Sequence, residues 1–467
     1  MVRFSWSSQS VRQALGLPAV EGSPRTYTGV CTDTRVVRPG ELFVALTGEH
    51  FDGADFVGDA AKAGARGAVV ERCTAEFPVE LELFLVDDAL RALGDLAALR
   101  RRALGPTVIG ITGTSGKTTT RVITAAALGP EAYGSPGNYN NLVGLPLSIL
   151  RAPEAAAIWV LEIASNQPGE VERLGRVAEP EYGVVTSVSE GHLEGLGDLR
   201  GVLDEKLSLL STMRADGHSF VADQPAELAS RAREIRPQTR TVGLERGADV
   251  HPDSWSLTRD GVSWRWQGVE FGLAGHGLHL IRDAMFALAI ADRLGLDLVE
   301  VSARVRGASL PPMRGEIRQL DGLTLLVDCY NANPASFRAA IETLTALAEG
   351  RRRAALVGTM LELGGRAGEL HEQVAAWLVD AGIEIIAAVG EFAAPLSRLR
   401  ASYPGRVILE EDVIAAYGAL AAELRGDEVV LVKASRGMRF ERTLSFFGRD
   451  FGGQGDLEID GSGASEA

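Results

Sequence analysis

The chain has 467 residues, enough for about three domains of ordinary size. With 46% hydrophobic and 23% charged residues it can bury large cores, and a formal charge of −15 argues against a general nucleic-acid or anionic-membrane binder. Cys31, Cys73 and Cys329 are scattered, which gives neither a disulfide framework nor zinc spacing; no leader or bilayer-spanning run is present, so a cytoplasmic location is expected.

Residues 1–85 alternate short strands and turns. An apolar strand, Leu42–Leu46, lies between Pro39-Gly40 and Gly48, and a helix and a second strand follow. Thr32, Asp33, Thr34 and Arg35 suit a polar ligand, or simply a solvated loop. Leucines at helical spacing over Asp88–Ala103 predict a helix that joins this domain to the next. Its three terminal arginines complement the helix C-terminus and read as a solvated end.

GITGTSGKTTT (110–120) is the sharpest signal. Val108, Ile109 and Ile111 form a buried strand, Gly113 and Gly116 permit a tight loop through Thr114 and Ser115, and Lys117-Thr118-Thr119 open a helix. Such a loop aims backbone N–H groups and a helix N-terminus at phosphate oxygens; Lys117 adds a point charge, and the Thr118 hydroxyl can join a magnesium shell. The motif implies ATP or GTP without saying what is done with it.

Further along, strand Ala157–Leu161 ends in Glu162, where a phosphate-loop domain places a magnesium ligand, although an exposed strand-end charge would look the same. Strand Tyr182–Val188 leads to a glycine-rich loop carrying His192, which on its own reads as a hydrogen-bonding spacer. Lys206, on the helix over 199–210, reads alone as solvated surface. Hairpin strands over 249–273 turn at Asp260-Gly261, an amphipathic helix spans His279–Leu294, and LPPM (310–313) marks a boundary. Beyond it, strands Thr324–Asp328, Ala354–Val357, Ile383–Val389, Val407–Leu409 and Val429–Val432 alternate with helices such as Pro334–Ala348 and Ala367–Asp380. That alternation predicts a parallel, Rossmann-like sheet with ligands at the strands' carboxyl ends, and no G-x-G-x-x-G run supports a dinucleotide. The division expected is 1–85, 86–312, 313–447 and a disordered, acidic tail over 448–467.

Taken in order, TDTR (32–35) with PGELFVAL (39–46), the phosphate loop, GNYNNLVGLPLSIL (137–150), DCYNANPASFRAAI (328–341), MLELG (360–364) and VKASRGMR (432–439) resemble the Mur ligases, ATP-dependent amide-forming enzymes of peptidoglycan precursor synthesis. The likeness covers residues 28–446 and is greatest to the member that adds D-alanyl-D-alanine to UDP-N-acetylmuramoyl-tripeptide. Members that add diaminopimelate or lysine, or a non-catalytic nucleotide-binding homologue, are the alternatives. The resemblance implies a three-domain α/β architecture: a small UDP-binding domain, a central P-loop ATPase domain with a mostly parallel sheet, and a C-terminal Rossmann-like domain.

The resemblance also assigns residues. Gly113 to Thr119 would hold the ATP phosphates, Thr118 and Glu162 one Mg2+, and His192 a second. Lys206 would be a carbamylated lysine, Arg314 would reach the γ-phosphate, and Asp328 and Asn331 would lie near the nucleotide. Thr32, Asp33, Thr34 and Arg35 would contact the UDP substrate, while Asn138, Asn140 and Asn141 would face the muramoyl-peptide. Asn333, Lys433, Ser435 and Arg436 would also serve substrates. The family's adenine-contacting asparagine is replaced by Asp283, which can accept a hydrogen bond but has no amide to donate one. Ala54, Val327 and Thr359 depart from the pattern as well. The mechanism implied runs through an acyl phosphate with domain closure, in a monomer with neither nucleic-acid nor membrane partners.

Overall fold

The computed structural model describes residues 4–20, 25–48, 50–73, 77–78, 80–258 and 261–452. Asp260 of the expected hairpin turn, and residues 453–467 of the expected tail, lie outside the described residues.

The first unit is a parallel four-stranded sheet in the order Val30–Cys31, Leu42–Val44, Gly67–Val70, Glu82–Leu85, with a small antiparallel pair, Trp6–Ser7 and Thr26–Tyr27, beside it. Helix Ala89–Leu104 follows. The Asp88 carboxylate caps its start by accepting from the Arg91 N–H at 2.7 Å, and Gly105 ends it in the left-handed region at φ 62°.

Its terminal arginines are not a solvated cluster. Arg100 is buried and donates to the carbonyls of Ile149 and Ala152 at 2.6 and 2.7 Å; Arg101 donates to the Val177 carbonyl at 3.0 Å. Those carbonyls lie at the ends of helices Gly144–Arg151 and Glu170–Ala178, where the regular intrahelical bonds run out and Ile149 has only a 3.3 Å bond from the Ala152 N–H. Only Arg102 is exposed.

The central sheet is wholly parallel, in the order Arg240–Val242, His218–Ala222, Tyr182–Val185, Thr107–Thr112, Ile158–Glu162, Ala132–Gly134. Thr107–Thr112 lies in its middle with helices on both faces, which explains its uninterrupted apolar run. Helix Leu278–Arg293 packs along the phosphate-loop helix, Lys117–Leu128, and is buried over most of its length. A three-stranded antiparallel sheet, Ser254–Thr258, Gly261–Trp266 and Val269–Leu273, completes this unit.

The last sheet orders Glu316–Gln319, Thr324–Val327, Val429–Lys433, Arg353–Val357, Ile385–Val389, Arg406–Glu410. Its strands are parallel except Glu316–Gln319, which is antiparallel to Thr324–Val327. This short polar edge strand carries no hydrophobic alternation to reveal it. The chain also stays ordered past 447: helix Leu444–Phe451 continues into the segment expected as tail. The Phe451 ring lies tilted against Phe447, and the Phe451 carbonyl accepts from the Asp321 N–H at 3.0 Å.

Arg100→Ala removes the donor to the Ala152 carbonyl and the second donor to the Ile149 carbonyl, and should lower stability by roughly 1–3 kcal/mol. Arg102→Ala should stay within about 0.5 kcal/mol of the parent; equal shifts of the urea midpoint in the two variants would contradict the clamp.

Candidate active site

Register sets the phosphate loop. Val185 pairs with Thr112, so Thr186 lies directly against Gly113. Gly113 has φ 145°, and a Cβ there would lie 2.2 Å from Thr186 Oγ1, so only glycine fits. Thr186 Oγ1 donates to the Ser115 carbonyl at 2.6 Å, while the Ser115 N–H donates to Ser187 Oγ at 2.8 Å. Sequence reading missed this brace, whose signal was the polar Thr186-Ser187 break inside an apolar run.

Lys117 folds over the loop and donates to the Gly113 and Thr114 carbonyls at 2.8 and 3.1 Å. Burial pushes its ammonium down to about 8, against the pull of Glu162. Glu162 is 3% exposed, accepts from Asn140 Nδ2 at 2.8 Å and lies 3.5 Å from Arg121 Nε.

Asp283, which replaces the adenine-contacting asparagine expected there, lies beside the phosphate loop. A Cβ on Gly116 would lie 2.8 Å from its Oδ1, so the carboxyl abuts the phosphate loop itself. Asp283 is 2% exposed, its Oδ2 has no hydrogen-bond partner among the described residues, and burial pushes it up to about 7 despite Arg282 and Arg314.

The last unit supplies the facing wall. The Arg314 guanidinium stacks 4.1 Å over the Tyr330 ring. Asn333 caps helix Pro334–Ala348 by accepting from the Ser336 N–H, and its Nδ2 donates to Ser115 Oγ at 2.9 Å, bridging to the phosphate loop. Glu362 reaches His192, with Oε2 2.5 Å from Nδ1. His192 and then Lys117 hold the Glu362 carboxyl below its usual range.

One cavity of about 730 Å³ collects Thr114, Ser115, Gly116, Lys117, Thr118 and Thr119 with Asn138, Asn140, Glu162, His192, Asp283, Arg314, Asp328, Asn331, Asn333 and Glu362. Lys206 lies behind it, wholly buried, with Nζ donating to Ser165 Oγ at 2.7 Å. Burial, with Lys117 adding, pushes this amine down to about 7.

Several expected substrate contacts have other employment. Asn140 orients Glu162, and Asn141 Oδ1 accepts from the Val143 and Gly144 N–H groups at a helix start. Lys433 is wholly buried, with Nζ 2.5 Å from Asp328 Oδ2, and Ser435 Oγ accepts from the Leu361 N–H at 3.0 Å. Arg436 lies over Tyr330 at 5.7 Å and pairs with Glu441. Asp33 and Arg35 pair with each other at 2.7 Å, and the whole Thr32, Asp33, Thr34, Arg35 stretch stays outside this cavity. Ala54, Val327 and Thr359 are buried and do not line it.

Thr118, Glu162 and His192 fit magnesium. They offer a hydroxyl, a buried carboxylate and an imidazole around a phosphate loop, and Mg2+ takes few protein ligands while keeping waters and phosphates. Among the described residues no three His, Cys, Asp or Glu side chains form an all-protein metal cage.

Three family descriptions match the chain in succession: "Mur ligase family, catalytic domain" over residues 26–101, "Mur ligase middle domain" over 111–291, and "Mur ligase, glutamate ligase domain" over 313–436. The chain is 33% identical over 448 residues to the UDP-N-acetylmuramoyl-tripeptide--D-alanyl-D-alanine ligase of Bacillus subtilis, covering 94% of this chain and 96% of that protein. Among solved structures, MurF from Acinetobacter baumannii matches with a TM-score of 0.86 at 26% identity over 95% of this chain and 98% of its own. The MurF ligase from Thermotoga maritima in complex with ADP matches with a TM-score of 0.80 at 28% identity, covering 90% and 97%.

Because Asp283 titrates above the ordinary carboxylate range, stability drawn from its neutral form is complete below about pH 4 and is lost as pH climbs through about 7. The ionised carboxylate also opposes a phosphate at Gly116. ADP affinity by calorimetry should therefore fall from pH 6 to pH 8, whereas Asp283→Asn should bind with little pH dependence in that window; parallel profiles would remove Asp283 from the phosphate site.

Proposed function

The chain belongs to the Mur ligase family, and from that premise we propose that it joins D-alanyl-D-alanine to UDP-N-acetylmuramoyl-tripeptide at the expense of ATP, an amide-forming step of peptidoglycan precursor synthesis. The observation that carries the reading is convergence. A phosphate loop, Glu162 and His192 from one sheet meet Arg314, Asp328 and Glu362 from another around a single cavity. On this reading residues 1–85 take the UDP end of the substrate, 86–312 the nucleotide, and 313–447 the incoming amine.

The tripeptide's terminal carboxylate oxygen attacks the γ-phosphorus, the bond to the β-phosphate oxygen breaks, and ADP departs. The amine nitrogen then attacks the acyl carbon; phosphate leaves with the C–O electron pair, and the nitrogen gives up its proton. Lys117 and Arg314 offset the charge gathering on the transferring phosphoryl group, and both line the cavity. Tyr330 holds the Arg314 guanidinium in plane, so less side-chain freedom is lost when it engages. Thr118, Glu162 and His192 would hold Mg2+, which when bound supplies Lewis-acid neutralisation of the phosphates. Asn333 bridges to Ser115, and Glu362 to His192, which keeps water from a mixed anhydride that it would hydrolyse.

Lys206 is read as a carbamate. Nucleophilic attack on CO₂ needs a neutral amine, and burial supplies one near neutral pH at a lysine whose Nζ donates to a serine hydroxyl. The product is an anionic oxygen ligand plus one released proton. No acidic side chain then has to be buried in its place.

Phosphate release from ATP in the presence of UDP-N-acetylmuramoyl-tripeptide should depend on added D-alanyl-D-alanine; release indifferent to the dipeptide would sink the substrate assignment. Arg314→Ala should cut kcat by about 10²–10³. Lys206→Ala should nearly abolish turnover and recover part of it with added acetate, and full activity without acetate would dismiss the carbamate.

A further inference from the structure

We infer that Glu362 is a positioning residue for His192, delivered across the module boundary, so that the imidazole is correctly presented only when the last unit is docked. The inference rests on the proposed reading of His192 as a magnesium ligand. Four observations carry it.

First, the carboxylate oxygen lies 2.5 Å from His192 Nδ1, off the direction of a well-aligned hydrogen bond, so that Nδ1 faces the carboxylate and Nε2 is turned away from it. A metal-binding imidazole is ordinarily oriented in this way, by a carboxylate on its other nitrogen.

Second, both residues are held in the left-handed region, His192 at φ 57° and Glu362 at φ 63°. Non-glycine residues there persist only where the surroundings over-determine them.

Third, the segment before Glu362 is pinned to its own module. The Met360 N–H donates to His371 Nε2 at 2.9 Å, His371 Nδ1 in turn meets the Ala367 carbonyl at 2.7 Å, and the Leu361 N–H donates to Ser435 Oγ. His371 is wholly buried. These bonds fix where the carboxylate can reach, and they give His371 and Ser435 a purpose that direct substrate contact does not.

Fourth, the loops dock along their backbones as well. The Glu194 N–H donates to the Glu362 carbonyl at 3.2 Å, and Arg366 lies 3.8 Å from Glu190. Swinging the last unit away therefore removes the partner of His192 together with Arg314. The cavity cannot hold a finished cation site while it is open.

The test uses the full chain with an unreactive ATP analogue, reading manganese binding by electron paramagnetic resonance and the His192 tautomer by nitrogen-15 NMR. Wild type should bind two ions and show an Nδ1–H tautomer. Glu362→Ala should weaken the second ion by about 10–100-fold and move the proton to Nε2, leaving the first ion unchanged. Glu362→Asp keeps the charge and withdraws the oxygen by one bond; it should weaken the second ion by a smaller factor, and it decides the matter if the alanine variant misfolds. An unchanged tautomer and second-ion affinity in the variant that folds overturn the inference. His192→Ala separates the two readings. If it loses the second ion where the Glu362 variants do not, the ligase reading stands and the inference falls. If it keeps both ions, the metal role of His192 falls and the inference with it.

Discussion

A hydroxyl group fills the space that a side chain on Gly113 would need, and the phosphate loop takes its shape from that contact. The pairing of Val185 with Thr112 makes it possible, because the end of one parallel strand is thereby set beside the end of the next. With Thr186 and Ser187 holding Ser115, the backbone N–H groups at the start of the Lys117–Leu128 helix are organised before any ligand arrives. Glu162 ends the strand on the other side of the loop, at the reversal of strand order where open α/β sheets bind ligands.

The fold treats buried lysines in two opposite ways. Lys433 has an aspartate at contact distance, so its charge is compensated and its job is to hold Asp328 and the Asn331 carbonyl at the cavity wall. Lys206 has a serine instead, and desolvation of its charged form outweighs the more distant pull of Glu205 and Glu170. Its neighbour Glu205 is spent elsewhere, accepting from the Gly169 and Val171 N–H groups at 2.7 Å. Residue type and spacing alone did not show that either lysine is buried; the difference between them lies in which neighbour the fold places within reach.

Much of the fold was legible because strong periodicity and punctuation coincide. Helices Pro334–Ala348 and Ala367–Asp380 match their expected bounds, and the buried strands of both large sheets fall within a few residues of theirs. The exceptions are elements whose stability is tertiary. Glu316–Gln319 is a strand through pairing with Thr324–Val327, and the helix end at 448–451 is held by Phe447 and Asp321. In the site, the loop and strand-end residues of the motifs gather around one cavity, while Asn140, Asn141, Lys433 and Ser435, expected at substrates, also bond to protein, a second role that the motifs did not announce. A motif letter records that a position matters. It does not say whether the side chain faces a ligand or the residue beside it.

Helix Pro334–Ala348 begins at Asn333, with Ala335 and Ser336 on the cavity wall, and helix Lys117–Leu128 begins at the same cavity from the opposite sheet. Each start carries a partial positive charge of about half a unit. Two like poles therefore converge on one gap, and Lys117 and Arg314 add to the same sign. Glu162, Asp283, Asp328 and Glu362 line the same gap with the opposite sign, and the walls already meet through Asn333 to Ser115 and Glu362 to His192. A polyanion laid between the two helix starts would add a further tie between the halves of the molecule, one that ions in the medium should loosen.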